Sequence, residues 1–256
     1  MSFPVTVGLA FGDEKVTSTT KIRRLGTRGV LPDGRVFRWA LNGGTAIEAG
    51  HVVQSGVVIG ASVHANGLTI VNATATGVST ITVLMATTNV AADYYADGYL
   101  TVDTSPGQGM YVVKSNTVAA SAANSEFTLQ EKIRTAMTSG TTLVGFRANP
   151  YASVIIAPAT TLTGALVGVT PVAMAIGAFG WLQTWGHALV NTDSAPIAGQ
   201  RLVYVGASAG NLDVQSTGSA GTAEAESQSA LPTIGIATTA GAGADKYNFI
   251  FLTIAP

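Results

Sequence analysis

Residues 22–41 have the sequence IRRLGTRGVLPDGRVFRWAL, which contains the clearest turn in the chain. Pro32 fixes φ at the second position of the LPDG turn, and Asp33 and Gly34 occupy the two tolerant positions after it. β-prone residues lie on both sides of the turn. We therefore predict a β-hairpin over 22–41.

The rest of the chain repeats this pattern of short β-prone runs separated by Gly, Asn and Pro, which favours a sandwich or small barrel over βαβ units. Residues 125–137 are the best helix candidate, although a strand running into a helical turn fits nearly as well. The predicted strands cover 51–59, 67–72, 79–85, 98–103, 110–115, 127–130, 143–147, 153–157, 172–175, 180–185, 188–191, 201–205, 212–215, 233–237 and 247–254.

These patterns predict an all-β fold with an extended N-terminal arm and a sandwich or small-barrel body, in which two β subdomains are an alternative. The predicted divisions are a basic arm and hairpin over 1–43, a β domain over 44–165 and a barrel-like C-terminal domain over 166–256. Residues 216–230 are a mixture of Ser, Thr, Ala, Gly, Glu and Gln with no large apolar side chain, and we predict a long surface loop or a segment ordered by a partner. A weak internal similarity joins 47–53 to 197–203, for which duplication and chance both remain open.

Charge is sparse and unevenly placed. Charged residues make up 11% of the chain, against roughly 25% in ordinary soluble domains. Residues 1–38 carry seven basic and three acidic side chains, whereas the remainder carries six basic and eleven acidic ones. This asymmetry predicts an interaction surface for acidic partners or nucleic acid, with a charged edge strand as the alternative. The candidate contact residues are Lys21, Arg23, Arg24, Arg28, Arg35 and Arg38.

The sequence offers little for catalysis or metal binding. It has no cysteine, and its three histidines are too far apart in sequence for a paired metal motif. Ser208 lies in a GASAG segment that matches a nucleophile elbow, but a returning strand rather than a helix follows it. We therefore predict that the protein is not an enzyme and has no catalytic residue, metal site or cofactor.

Tryptophans and one uncharged stretch complete the candidate features. Trp39, Trp181 and Trp185 are either core or interface residues, and Trp181 and Trp185 share one strand face by period two. A solvent-facing pair would indicate a subunit interface or a glycan platform. Residues 162–182 are long and apolar, but their glycines and β-branched residues favour buried strands over a membrane span.

Several segments together resemble the head decoration, or cement, proteins of tailed bacteriophages. The resemblance extends from about residue 22 to the end of the chain, and its motifs are turns and strands without catalytic content. The segments are LGTRGVLPDGRVFRW (25–39), AGHVVQ (49–54), DGYLTVD (97–103), NPY (149–151), GWLQTWG (180–186), IGIA (234–237) and FLTI (251–254).

The resemblance implies an all-β structural virion protein that binds the major capsid protein and stabilises the phage head. It also implies a homo-oligomer, for which we expect a trimer before a dimer. The expected location is the capsid surface of a virion assembled in the host cytoplasm, with no membrane and no specific nucleic acid as partner. A receptor- or glycan-binding head or tail fibre module is the alternative.

Overall fold

The computed structural model describes residues 6–56, 64–104, 106–107, 109–205, 207–215, 231–241, 243 and 246–256. The predicted all-β fold is confirmed. The chain forms two compact units, one made of Met1–Gly56 and Pro150–Pro256 and the other of Val57–Asn149. This division differs from the predicted boundaries after residues 43 and 165, because strands that are far apart in sequence pair within the first unit.

Seventeen strands and one short 3₁₀ helix, η1, make up the described secondary structure. In chain order they are β1 (Thr6–Gly8), η1 (Asp13–Lys15), β2 (Arg28–Val30), β3 (Val36–Leu41), β4 (Val52–Gln54), β5 (Leu68–Thr69), β6 (Thr80–Leu84), β7 (Tyr99–Val102), β8 (Gly109–Asn116), β9 (Asn124–Leu129), β10 (Leu143–Arg147), β11 (Ile155–Ile156), β12 (Leu166–Val169), β13 (Phe179–Thr192), β14 (Arg201–Val203), β15 (Asp213–Val214), β16 (Gly235–Ala237) and β17 (Lys246–Thr253).

The Val57–Asn149 unit is a ring of six antiparallel strands in the order β5-β10-β7-β8-β9-β6. A bridge between Ile70 and Val83 joins the two ends of this order and closes the ring. The interior is aromatic, since Phe127 and Phe146 stack with ring centroids 4.0 Å apart and Tyr95 lies 5.2 Å from Phe146. This unit therefore has a single core enclosed by its own strands.

The other unit is an eleven-stranded sheet that curls around β13, which is 14 residues long. The first half of β13 pairs with β3 and β12, and its second half pairs with β17. Leu182 faces one hydrophobic cluster and Val190 faces another. A single strand is thus shared by two neighbouring cores.

The pairing register decides which face of β13 each side chain joins. Phe179 and Trp181 in the first half are buried in a third cluster, to which the N-terminal segment contributes Leu9 and Leu31. Gln183 pairs with Phe37 and Trp185 pairs with Val36, so the register shift places Trp185, His187 and Leu189 on the face opposite Trp181. His187 and Leu189 are exposed, Leu189 by 59%. The face that is buried around Leu182 in the first half is therefore uncovered in the second half.

The N-terminal segment is part of the sheet from residue 6 onward and does not stand apart from it. β1 pairs in parallel with β2, and Ser18 forms an antiparallel bridge with Phe179. Leu9 is 4% exposed. Residues 1–5 lie outside the described part of the chain. The predicted hairpin over 22–41 is confirmed as β2 and β3, which pair around the LPDG turn.

The predicted helix over 125–137 is wrong. Its first residues form β9, and the rest is a series of turns that follow residues 74–78. The backbone N–H groups of Ile133 and Met137 donate to the carbonyls of Val78 and Thr74. The four-residue spacing of Leu129, Ile133 and Met137 therefore places all three in one core through non-local hydrogen bonds rather than through a helical face.

The other strand predictions are largely confirmed, with different bounds. The predicted strands 180–185 and 188–191 are one strand, β13, whereas 172–175 contains only a bridge between Met174 and Ile47. Residues 57–59 of one predicted strand and the whole of the predicted loop over 216–230 lie outside the described residues.

One turn geometry recurs in both units. The antiparallel bridges Ile47–Met174, Thr74–Met137 and Val90–Ala119 are reciprocal, with each N–H bonded to the partner's carbonyl. Three positions after each of the six bridge residues, the backbone has a positive φ, at Gly50, Gly177, Gly77, Gly140, Asp93 and Ala122. In the similar segments 47–53 and 197–203, a glycine with a positive φ precedes a strand, Gly50 before β4 and Gly199 before β14.

Candidate functional site

The uncovered face in the second half of β13 continues onto the neighbouring strands β17 and β16. Cross-strand pairing places Leu189 opposite Phe249, and Phe251 between His187 and Ile236. Phe249 is 41% exposed. We call this surface the aromatic face, and it consists of Trp185, His187, Leu189, Ile236, Tyr247, Phe249 and Phe251.

The rings of the aromatic face pack against one another. His187 stacks on Phe249 with centroids 4.9 Å apart and planes 4° apart. Phe251 meets His187 edge to face at 5.2 Å and Trp185 at 5.4 Å. Because the rings support one another, the face presents a defined shape to solvent, and contiguous apolar surface of this kind marks interaction sites.

A cleft of about 520 Å³ lies at the end of the aromatic face nearest the LPDG turn. Its lining combines the turn residues Asp33, Gly34 and Arg35 with Trp185, Gly186, His187, Phe249 and Phe251. A register shift between Gln183 and Trp185 interrupts the pairing of β13 with β3. Gly186 has φ +88, and a Cβ there would lie 3.1 Å from Arg35 Cγ, so the irregular strand accommodates Arg35.

Arg35 forms the polar side of this cleft together with two acidic side chains. Its Nε donates to Asp33 Oδ2 over 2.7 Å, and its Nη2 lies 3.9 Å from Glu14 Oε1. Burial acts to raise the pKa of Asp33, but the hydrogen bonds and positive charge of Arg35 outweigh burial and lower it. A carboxylate and a guanidinium therefore lie side by side next to the aromatic floor.

The three candidate tryptophans have different environments. Trp39 and Trp181 are buried core residues, with edge-to-face centroids 5.1 Å apart. Trp185 is half-buried and lines the cleft. The predicted common face of Trp181, Gln183 and Trp185 is wrong, because the register shift after Gln183 turns Trp185 to the opposite face, where it joins the aromatic face.

The six candidate basic residues do not form one patch. Arg23 lies over the Trp181 ring at 5.6 Å, and Arg35 is paired with Asp33. Lys21 and Arg24 each have an interaction partner. Arg28 and Arg38 are brought together, since they are directly opposite each other on β2 and β3.

The catalytic and metal-binding alternatives gain no support in the described residues. Residues 207–210 form a turn between β14 and β15, so the predicted hairpin interpretation of the GASAG segment is confirmed. Ser208 donates its backbone N–H to Asp193. Within the described ranges, no group of three or more His, Cys, Asp or Glu side chains is arranged to hold a metal ion.

A buried polar pair occupies the core of the Val57–Asn149 unit. His64 Nδ1 lies 2.8 Å from the Tyr95 hydroxyl, and both residues are at most 1% exposed. Burial lowers the pKa of His64 and raises that of Tyr95. Both groups are therefore neutral near pH 7, and we interpret the pair as a structural hydrogen bond.

Sequence reasoning did not identify His187, Leu189, Phe249 and Phe251 as candidates. A usable pattern is present in residues 247–252, YNFIFL, where the aromatic residues alternate with Asn, Ile and Leu. An apolar run of this kind is typical of a strand that is buried on both faces. One of these faces is the uncovered aromatic face.

In the described part of the chain, no helix has the length and apolar character needed to cross a membrane. The uncharged residues 162–182 instead contain β12 and the start of β13. Comparison of the chain with protein-family models, with curated proteins and with solved structures gives no match.

Proposed function

We propose that this protein is a structural subunit of a bacteriophage virion, a decoration or cement protein that binds the major capsid protein and stabilises the head. The aromatic face is the observation that supports this proposal most directly. Its side chains are large, preorganised by stacking and arranged on three paired strands. Aromatic side chains are enriched at the centres of protein–protein interfaces.

The face acts by burial against the shell. Internal pressure from packaged DNA strains the contacts between capsid subunits, and a protein seated across such a contact adds apolar area that must be exposed before the shell opens. Binding needs no bond making or breaking by the protein. We expect the free protein to form a closed homo-oligomer, with a trimer favoured over a dimer.

Co-sedimentation with DNA-free capsids of the encoding phage tests the proposal. Leu189 and Phe249 are exposed, so Leu189→Asp combined with Phe249→Asp should leave the fold intact, as circular dichroism can check. We expect capsid affinity to fall by at least about tenfold, because a central interface anchor contributes about 2 kcal/mol or more. Met110→Asp is the matched control, since Met110 is 62% exposed on β8 in the other unit.

The outcomes of this experiment separate two roles of the face. Loss of capsid binding with an unchanged oligomer supports the decoration proposal. Loss of the oligomer with unchanged capsid binding would assign the face to contacts between copies. Unchanged capsid binding and an unchanged oligomer in the double variant would contradict the proposal.

The cleft favours a second candidate function, a glycan-binding fibre module. A sugar ring can stack its apolar face on Trp185 or Phe251 while its hydroxyl groups bond Asp33 and Arg35. The volume of about 520 Å³ lies within the usual range for ligand clefts. A panel of sugars titrated against the protein tests this function. Binding that is lost in Trp185→Ala and kept in Leu189→Ala would favour it over decoration.

A further inference from the structure

Arg28 and Arg38 are two like charges that lie directly opposite each other on paired strands. They are register partners in the antiparallel pair of β2 and β3. Leu31 donates its N–H to the Arg35 carbonyl, and Trp39 donates to Thr27, each over 3.0 Å. Hydrogen-bonded and non-bonded positions alternate along an antiparallel pair, so Arg28 and Arg38 occupy the closer, non-bonded type with Cα atoms about 4.5 Å apart.

No acidic side chain in the described ranges compensates the two guanidinium groups. Among the described residues, neither arginine has a carboxylate oxygen within 4.0 Å, whereas Arg35 on the same hairpin has two acidic neighbours. Thr6 and Leu182, which flank the pair on β1 and β13, are both uncharged. Like charges directly opposite each other destabilise a sheet.

Arg38 also has unused hydrogen-bonding capacity. Its Nη1 donates to the Gly26 carbonyl over 3.3 Å, but its buried Nε has no hydrogen-bond partner in the described residues. Tyr151 lies close enough for the Arg38 charge to oppose the rise in its pKa that burial causes. A buried donor without a partner costs free energy, so the Arg38 guanidinium is not fully satisfied by the described residues.

We propose that Arg28 and Arg38 together bind a carboxylate presented by a partner protein, which we identify with the capsid protein of the proposed function. Two guanidinium groups on adjacent strands can share the two oxygens of one carboxylate. Such an anion offsets the repulsion between the arginines. The half-buried setting strengthens the interaction relative to one in bulk water.

A carboxylate fits this pair better than nucleic acid does. Strong nucleic-acid binding uses several phosphate contacts along a track of basic residues. On this hairpin Arg35 is already paired with Asp33, and Arg23 is occupied by the Trp181 ring. Two adjacent arginines are fewer than such a track requires.

A titration with the peptide acetyl-Glu-Glu-Glu-amide tests the site without any capsid. The unfolding temperature of the full chain is followed at constant ionic strength, with acetyl-Gln-Gln-Gln-amide as the uncharged reference. We expect a saturable rise with the Glu peptide only. In Arg28→Gln and in Arg38→Gln the apparent affinity should fall by at least about tenfold, as expected for loss of a charge-assisted hydrogen bond.

The unfolding temperature of the two arginine variants without peptide is a second readout, and a purely structural role of the arginines would give a different result. Removing either charge relieves the repulsion, so the unfolding temperature without peptide should stay equal or rise. Arg201→Gln, at an exposed arginine on β14, is the control and should respond to the Glu peptide like the unmodified protein.

Three results would overturn the inference. The unmodified protein could give no saturable response to the Glu peptide, or both arginine variants could respond as strongly as the unmodified protein. Both variants could also be less stable than the unmodified protein without peptide. If single-stranded DNA binds more tightly than the peptide and the same variants lose this binding, the group bound by the two arginines is a phosphate and not a carboxylate. Failure here leaves the decoration proposal standing, because the capsid experiment changes only the aromatic face.

Discussion

The two halves of β13 carry large side chains in different surroundings. Phe179 and Trp181 in the first half are buried beneath the N-terminal segment, with Leu9 and Leu31 in the same cluster. His187 and Leu189 in the second half are exposed and lie on the other face of the strand, because the register shift after Gln183 reverses the alternation of side chains. The chain covers the large residues of the first half with its own residues and leaves those of the second half available to another molecule.

This comparison indicates what sort of surface can cover the second half. The intramolecular cover consists of leucine side chains together with Arg23, whose guanidinium lies 5.6 Å from the centre of the Trp181 ring. Aliphatic packing combined with a cation over an indole is favourable for both groups. We expect the partner of the aromatic face to use a similar combination against Trp185 and Phe249.

The largest expected difference between the two halves is in the free energy of unfolding. Trp181→Ala should destabilise the unit that contains β13 by about 3–5 kcal/mol, because it leaves a cavity beneath Leu9 and Trp39. Leu189→Ala should change stability by no more than about 0.5 kcal/mol, as exposed substitutions usually do. Urea unfolding followed by circular dichroism measures both. Equal losses in the two variants would show that the halves do not differ as described.

A smaller loss of stability is expected from adding one methyl group beneath the N-terminal segment that covers Trp181. A Cβ at Gly29 would lie 2.6 Å from Leu9 Cδ1 and 2.9 Å from Trp181 Cζ3. Gly29→Ala should therefore lower the free energy of unfolding by about 1–3 kcal/mol through overpacking. Gly8→Ala on the adjacent strand β1 is the control, since nothing lies within 4 Å of its Cβ position. A loss in Gly8→Ala as large as that in Gly29→Ala would contradict the packing explanation.

The smallest expected effect on stability concerns Arg23, whose guanidinium lies over the Trp181 ring. Arg23→Gln should lower the free energy of unfolding by about 0.5–1 kcal/mol, because it removes the guanidinium from the face of Trp181. Arg23→Lys keeps the charge and should recover part of the loss. The unfolding midpoint in urea measures both variants against Arg201→Gln. If Arg23→Gln is no less stable than that control, the cation contributes nothing to the cover.

Local patterns were sufficient to predict the fold class and much of the strand content. The LPDG turn determines the β2–β3 hairpin, because Pro32 restricts φ at its position and Gly34 permits backbone angles that other residues avoid. Neither effect depends on distant residues. Alternation of side chains predicted one face for Trp181 and Trp185, but the register shift between Gln183 and Trp185 puts them on opposite faces. Alternation also could not show that only Trp181 is covered, because the cover comes from residues more than a hundred positions earlier in the chain.

The errors share this dependence on distant contacts. Residues 125–137 have helical spacing, but the hydrogen bonds of Ile133 and Met137 go to residues 74–78 and override the local pattern. The basic N-terminal residues suggested a free arm, yet Leu9 and Leu31 pack against Trp39. At the candidate sites, the pairing of Arg28 with Arg38 required the register of the hairpin, which the turn sequence alone did not assign.

The length of β13 also has a mechanical consequence. Its 14 residues extend over roughly 45 Å, and its backbone is paired with β3 along one part and with β17 along the other. Tension applied along this strand loads many hydrogen bonds in shear at once, so they must fail together. Tension applied across the strand opens them one after another. The unit should therefore resist extension along β13 far better than peeling at right angles to it.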